Sequence, residues 1–124
     1  MQIRKGLRSE RGASTVEFAL LLPVLVLLLF GIFEFGLAYN SYLAVTHAAR
    51  EGARMAAVGA YNEGTIRDTA YPARPTSITV SYPNGNAHGE TVAVTVRAET
   101  PIQIPLWGSR TLSISSTAKM RIEV

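Results

Sequence analysis

Hydrophobic residues crowd the first half of this chain and alternate with polar ones in the second. From Phe18 to Phe33 no residue is charged, and Ala13 to Thr46 contains two carboxylates, Glu17 and Glu34, with no basic group. The uncharged run alone is slightly short of the roughly 20 residues that cross about 30 Å of hydrocarbon, but with its flanks the segment can span a bilayer. Helix formers continue through His47 to Ala57 without proline, which predicts one helix from about residue 14 to about residue 58. At about 1.5 Å per residue such a helix is close to 70 Å long, so half of it projects beyond the membrane. Gly59, Asn62 and Gly64 are expected to end it. Tyr61 to Tyr71 can hold one short helix, and Pro72 and Pro75 read as a linker.

After Pro75 the period becomes two. Ile78, Val80 and Tyr82 alternate with polar neighbours, Val92, Val94 and Val96 do the same, and Pro83-Asn84-Gly85-Asn86 supplies turn chemistry between them. Leu112, Ile114, Ala118, Met120 and Ile122 predict a last strand, with Pro101 to Gly108 as a loop carrying Trp107. The expected class is α+β: a long N-terminal transmembrane helix, then a small antiparallel sheet of about three strands packed on its exposed half. The predicted segments are a basic leader 1–12, the helix 13–60 with its membrane part at about 16–38, a short helix and linker 61–76, and a β-rich extracytoplasmic domain 77–124.

Charge sharpens this picture. Of the 12 Lys and Arg, four (Arg4, Lys5, Arg8, Arg11) precede Gly12 against the single Glu10, whereas residues 13–124 hold eight basic and eight acidic residues. The excess belongs to the leader, which argues against a nucleic-acid partner and orients the N-terminus toward the cytoplasm. No cysteine is present, which excludes disulfides, thiolate nucleophiles and cysteine metal sites. His47 and His88 are far apart in the chain, and no nucleophile elbow, phosphate loop or metal constellation accompanies them. The expectation is therefore no enzyme, no metal, no cofactor and no small-molecule substrate. Gly36-Leu37-Ala38 before Tyr39 could pass for an ordinary signal cleavage site, but Glu34 and the uninterrupted helical pattern oppose it.

Several residues have two readings. Ser14-x-x-Glu17 before an apolar run is a capping-box signature, while a carboxylate at the edge of a membrane helix is a functional candidate. Gly12 reads as a turn before the helix or as a position where the backbone lies extended in a protease site. Pro23 is a helix kink or a tolerated membrane proline. Gly31, Glu34 and Gly36 mark a helix-packing spot or, for Glu34, a solvated boundary residue. Ala44, Ala48, Gly52, Ala56 and Ala60, with Ala49, Ala53 and Ala57, form two smooth stripes that pack on the chain's own sheet or on another subunit. Glu51 and Arg54 form an i,i+3 pair beside Arg50.

The run Arg11-Gly12-Ala13-Ser14-Thr15-Val16-Glu17-Phe18-Ala19-Leu20, then Pro23, then Gly31-Ile32-Phe33-Glu34-Phe35-Gly36 and Ala48-Ala49-Arg50-Glu51-Gly52-Ala53-Arg54, resembles the TadE-like pseudopilins of tight-adherence (Tad) pili. The resemblance covers about Arg11 to Ala57. It implies cleavage between Gly12 and Ala13 by a prepilin peptidase on the cytoplasmic face, and pairing of Glu17 with the new Ala13 amine of a neighbouring subunit. It also implies other pilins and an inner-membrane assembly platform as partners, with the lipid bilayer as the medium. Arg50, Glu51 and Arg54 are the motif charges. The implied role is a minor pilin, either kept in the membrane or built into the fibre. The alternative is an uncleaved, membrane-anchored binding or adhesion domain in which Gly12 and Glu17 are only a turn and a cap.

Overall fold

The computed structural model describes residues 6–124, with side chains from Gly12 onward; the side chains of Arg4, Lys5, Arg8 and Arg11 lie outside the described residues. Helix α1 runs Gly6–Ala57, followed by α2 (Glu63–Thr69) and three strands, β1 (Pro75–Ser81), β2 (Thr91–Ile104) and β3 (Gly108–Arg121). The fold is α+β, with a long apolar helix ahead of an antiparallel sheet in the order β1-β2-β3. The chain divides into two units, Met1–Glu34 and Phe35–Val124.

From Phe18 to Leu29 α1 is apolar on every side. Each large aliphatic or aromatic residue from Val16 to Leu29 is exposed, and the most apolar 18-residue window has a mean hydropathy of 2.7 with none of it buried. Apolar surface left in water costs about 25 cal/mol per Å². A helix of this length and composition therefore belongs in a non-aqueous medium and is compatible with a single membrane pass.

The helix starts earlier than its apolar pattern suggests, at Gly6 rather than near Ser14. Leu7, Arg8, Glu10 and Arg11 are good helix formers, and one interior glycine costs only about 1 kcal/mol, too little to stop the helix at Gly12. Ser14 consequently lies inside α1 and is not its N-cap, so Ser14-x-x-Glu17 is not a capping box here. Gly12 is likewise a helical residue and not a turn. α1 continues through Pro23 without a break.

The second unit is built on α1 from Phe35 to Ala57. Val45, Ala48, Ala49, Ala53 and Ala57 are fully buried, and the core they join includes Ile66 of α2, Val92, Val94, Val96 and Ala98 of β2, and Ile114 of β3. These strand residues alternate, so one sheet face is apolar and covered by helix. The opposite face carries Thr79, Thr95, Arg97, Ser115 and Thr117, with the Thr95 and Thr117 hydroxyls hydrogen-bonded at 2.8 Å. That polar face suits water.

The end of α1 is closed by a Schellman motif. The Ala60 N–H donates to the Met55 carbonyl (2.8 Å) and Gly59 N–H to Ala56 (3.3 Å), with Gly59 at φ 70°. Beyond β3 the Glu123 N–H donates to the Ala57 carbonyl (2.9 Å), which satisfies a helix-end acceptor that water would otherwise have to serve. In α2, the Asn62 side chain caps the Thr65 N–H, and Arg67 bridges Glu63 while donating to the Pro75 carbonyl at 2.9 Å. Asn62 thus starts the second helix where the sequence suggested an end to the first.

Two further expectations are corrected. Pro75 opens β1 and is not linker, a position a proline accepts because the first strand residue need not donate to the ladder. Pro101 to Gly108 is not a loop: β2 continues to Ile104 and β3 begins at Gly108, leaving Pro105, Leu106 and Trp107 as the connection. Proline is tolerated at Pro101 because β1 pairs β2 only as far as Ala98. Beyond that point β2 has one neighbour, β3, and its other edge needs no donor.

At Gly52 the helix comes close to both β2 and α2. A Cβ there would sit 2.9 Å from Val94 Cγ1 and 3.0 Å from Ile66 Cδ1. Gly52→Val should lower unfolding stability by about 1 to 3 kcal/mol through overpacking. Denaturant unfolding of the detergent-solubilised full chain, followed by circular dichroism, measures the loss; an unchanged midpoint would mean that the helix and sheet separate freely there.

Candidate functional site

The residues singled out from the sequence fall into three places. The first is the N-terminal part of α1. Gly12, Ala13 and Glu17 are all exposed, and a Cβ on Gly12 would meet nothing within 4 Å. Tertiary packing therefore does not require glycine at this position, although helix propensity disfavours it. At helical spacing Glu17 is flanked by Ala13 and Ser14 on one side and by Leu20 and Leu21 on the other. Both leucines are exposed, so the carboxylate emerges from an apolar surface. Pro23, one and a half turns on, has no N–H and leaves the Ala19 carbonyl without its usual helical donor.

The second place is the small-residue face of α1. Added Cβ atoms at Gly31 and at Gly36 would meet nothing within 4 Å, and Glu34 is half-buried. Ala48, Ala49, Gly52, Ala53 and Ala56 are buried within the Phe35–Val124 unit. The structure packs these five on the chain's own sheet and α2, whereas Ala60 is exposed beyond the helix end. Phe35, Tyr39 and Tyr42 stack in succession at 6.2 and 6.4 Å between ring centroids. They form an exposed aromatic strip on a helix that continues into the folded unit.

The third place is charged. Arg54 holds Glu51 through two hydrogen bonds, Nη2 to Oε1 at 2.6 Å and Nε to Oε2 at 3.0 Å. Arg50 is exposed on the same stretch. His47, Arg50, Glu51 and Arg54 line an open depression of about 390 Å³ with Thr69 of α2 and Met120 of β3. Thr69 and Met120 are not legible as partners of this cluster, since they reach it only through tertiary packing. A second open depression of about 590 Å³ lies beside Arg67, Tyr71 and Arg74. Both are lined by solvated side chains, and among the described residues no group of three or more His, Cys, Asp or Glu is placed to hold a metal. Such surfaces suit electrostatic contact with a partner better than proton transfer or nucleophilic attack.

The Arg54 hydrogen bonds, reinforced by its charge, hold the Glu51 carboxyl below its ordinary value of 4.5 against a smaller opposing effect of desolvation. A depressed carboxyl pKa contributes stability above the unfolded value and loses it as pH falls through the folded one. In a pH titration followed by NMR, Glu51 should titrate below 4.5 in the native chain and return toward it in Arg54→Met. An identical titration in both chains would mean that the ion pair does not persist in solution.

Residues 12–54 match the family model described as TadE-like protein. Comparison with curated proteins and with solved structures gives no match. The family match starts at Gly12, includes Glu17, Pro23 and the Arg50, Glu51 and Arg54 cluster, and stops before α2 and the sheet. It is the long helix of this chain, from Gly12 to Arg54, that is TadE-like.

Proposed function

We propose that the chain is a structural component of a Tad-type pilus, a minor pilin or pseudopilin inserted once through the inner membrane with its N-terminus in the cytoplasm. The observation that carries this reading is the TadE-like match over residues 12–54, on a helix whose apolar surface is wholly unburied from Val16 to Leu29. A prepilin peptidase cleaves after Gly12. The open surroundings of Gly12 support this, because the glycine serves no packing role and weakens the helix where a protease needs extended backbone. Cleavage removes the basic leader and leaves the new Ala13 amine four residues from Glu17.

On assembly that amine and the Glu17 carboxylate of an adjacent subunit pair in an apolar setting, each offsetting the other's desolvation. Gly31 and Gly36, open on their surfaces, allow neighbouring helices to approach closely. Because Ala48, Ala49, Gly52, Ala53 and Ala56 are already covered by the chain's own sheet, contacts with other subunits fall on the membrane half of α1 and on the outer surface of the folded unit. The sheet domain, absent from the family match, gives the subunit its individual part in the fibre or at its base. An uncleaved adhesion module is the competing reading.

Intact mass and N-terminal sequencing of the protein from native membranes should show a chain that begins at Ala13; a start at Met1 would favour the permanent anchor. Glu17→Ala should insert normally. Breaking a buried pair on one side costs about 3 to 5 kcal/mol, so incorporation into sheared pili should fall by roughly a hundredfold or more. Normal piliation with this variant would count heavily against the assembly role.

A further inference from the structure

The end of the β2–β3 hairpin is the least buried apolar part of the folded unit. Leu106 is 87% and Trp107 76% exposed, and Leu112 is also exposed. The turn itself is unusual. Trp107 N–H donates to the Ile104 carbonyl at 3.0 Å, with Pro105 and Leu106 between them and Leu106 at φ 74°. This is the pattern of a type II turn, whose third residue is normally glycine or asparagine. A leucine there carries backbone strain that glycine would not. The same residue is almost entirely solvent-exposed, so no burial within the chain compensates for that strain.

The direction of the hairpin follows from contacts inside the Phe35–Val124 unit. Glu123 meets Ala57 at the far end of α1, and Val94 meets Gly52. From Val94 β2 therefore descends along α1 towards Phe35. Ten residues of strand, Val94 to Ile104, cover about 33 Å. The seventeen helical residues from Gly52 back to Phe35 cover about 25 Å. Laid along the helix, the hairpin is thus long enough to bring its tip to the level of Phe35 and Tyr39. Phe35, Tyr39 and Tyr42 are the aromatic strip where α1 passes from its apolar segment into the folded unit, and tyrosine and tryptophan concentrate at the boundary between hydrocarbon and water.

We propose that the β2–β3 turn is a second membrane contact: Leu106 and Trp107 insert into the lipid interface that α1 crosses at Tyr39 and Tyr42. This rests on the reading of α1 as a membrane span. The chemistry fits a lipid surface. Leu106 supplies apolar area, Trp107 an amphipathic ring, and Arg110, exposed two residues into β3, a cation at headgroup level. The cross-strand pairing of β2 and β3 down to Ile104 and Gly108 satisfies the backbone groups that face each other, and the open outer edges of the two strands keep to the headgroup layer, where water serves them. The contact holds the folded unit against the bilayer before assembly and is released when the subunit leaves the membrane.

Trp107 is the only tryptophan in the chain, so it reports on itself. The full-length protein, reconstituted in vesicles of zwitterionic and anionic phospholipid carrying brominated acyl chains, should show blue-shifted emission, quenching by the brominated lipid and loss of most quenching by aqueous iodide. Flotation of the same vesicles tests the anchor separately. A chain that fails to float removes the membrane reading and this inference with it, whereas a chain that floats with Trp107 open to iodide overturns the turn contact alone. Protection from iodide without lipid quenching also overturns it and points to a second copy covering the tip. Leu106→Gly relieves the turn strain and keeps the fold; it should leave flotation unchanged and reduce lipid quenching of Trp107. Unaltered lipid quenching in that variant would overturn the role given to Leu106.

Discussion

The folded unit depends on how closely α1 can approach a β-sheet. Gly52 lies so near Val94 and Ile66 that a Cβ has no room, and buried alanines on either side keep the helix surface shallow. Small side chains contribute little apolar area each, but they bring backbone and valine methyls into dense contact over several turns. The sheet supplies the larger side chains, Val92, Val94 and Val96, all fully buried. The core is therefore a smooth helix set against a knobbed sheet face, and the wet threonines and serines of the opposite face need no cover.

One helix thus carries two kinds of surface. Its earlier turns present leucine, valine and phenylalanine on all sides with no partner from the chain, while its later turns present alanine and glycine on one side and charge on the other. The Arg50, Glu51 and Arg54 cluster lies next to the buried face, so the charges are oriented by the same packing that covers the alanines. This explains how a family match confined to residues 12–54 can include both the apolar run and a charged motif, since both belong to one continuous element.

Much of this was legible from residue order because it is local. Apolar density from Phe18 to Phe33, fourfold spacing of small residues and twofold alternation around Val94 are each read within one element, and they lead to the helix, its smooth face and the sheet. What was missed depends on neighbours or on free-energy differences too small for a pattern to show. Ser14-x-x-Glu17 ahead of an apolar run reads as a capping box, yet the good helix formers before it extend the helix to Gly6. Pro101 looked like a loop residue because a proline is excluded from a strand paired on both sides, and only the short reach of β1 frees that edge. Thr69 and Met120 join the charged depression from elements that carry no local sign of it.

The hydrogen bond from Glu123 to Ala57 also imposes an order on biogenesis. The helix leaves the ribosome first, and its alanine face cannot be covered until the last strand of the chain has been delivered, because β3 and the residues beyond it complete the sheet at the helix end. Local helix forms quickly, while pairings between distant parts of the chain come late. Formation of α1 therefore precedes closure of the domain, and every newly made molecule passes through an interval in which the helix is complete but its alanine face is still uncovered.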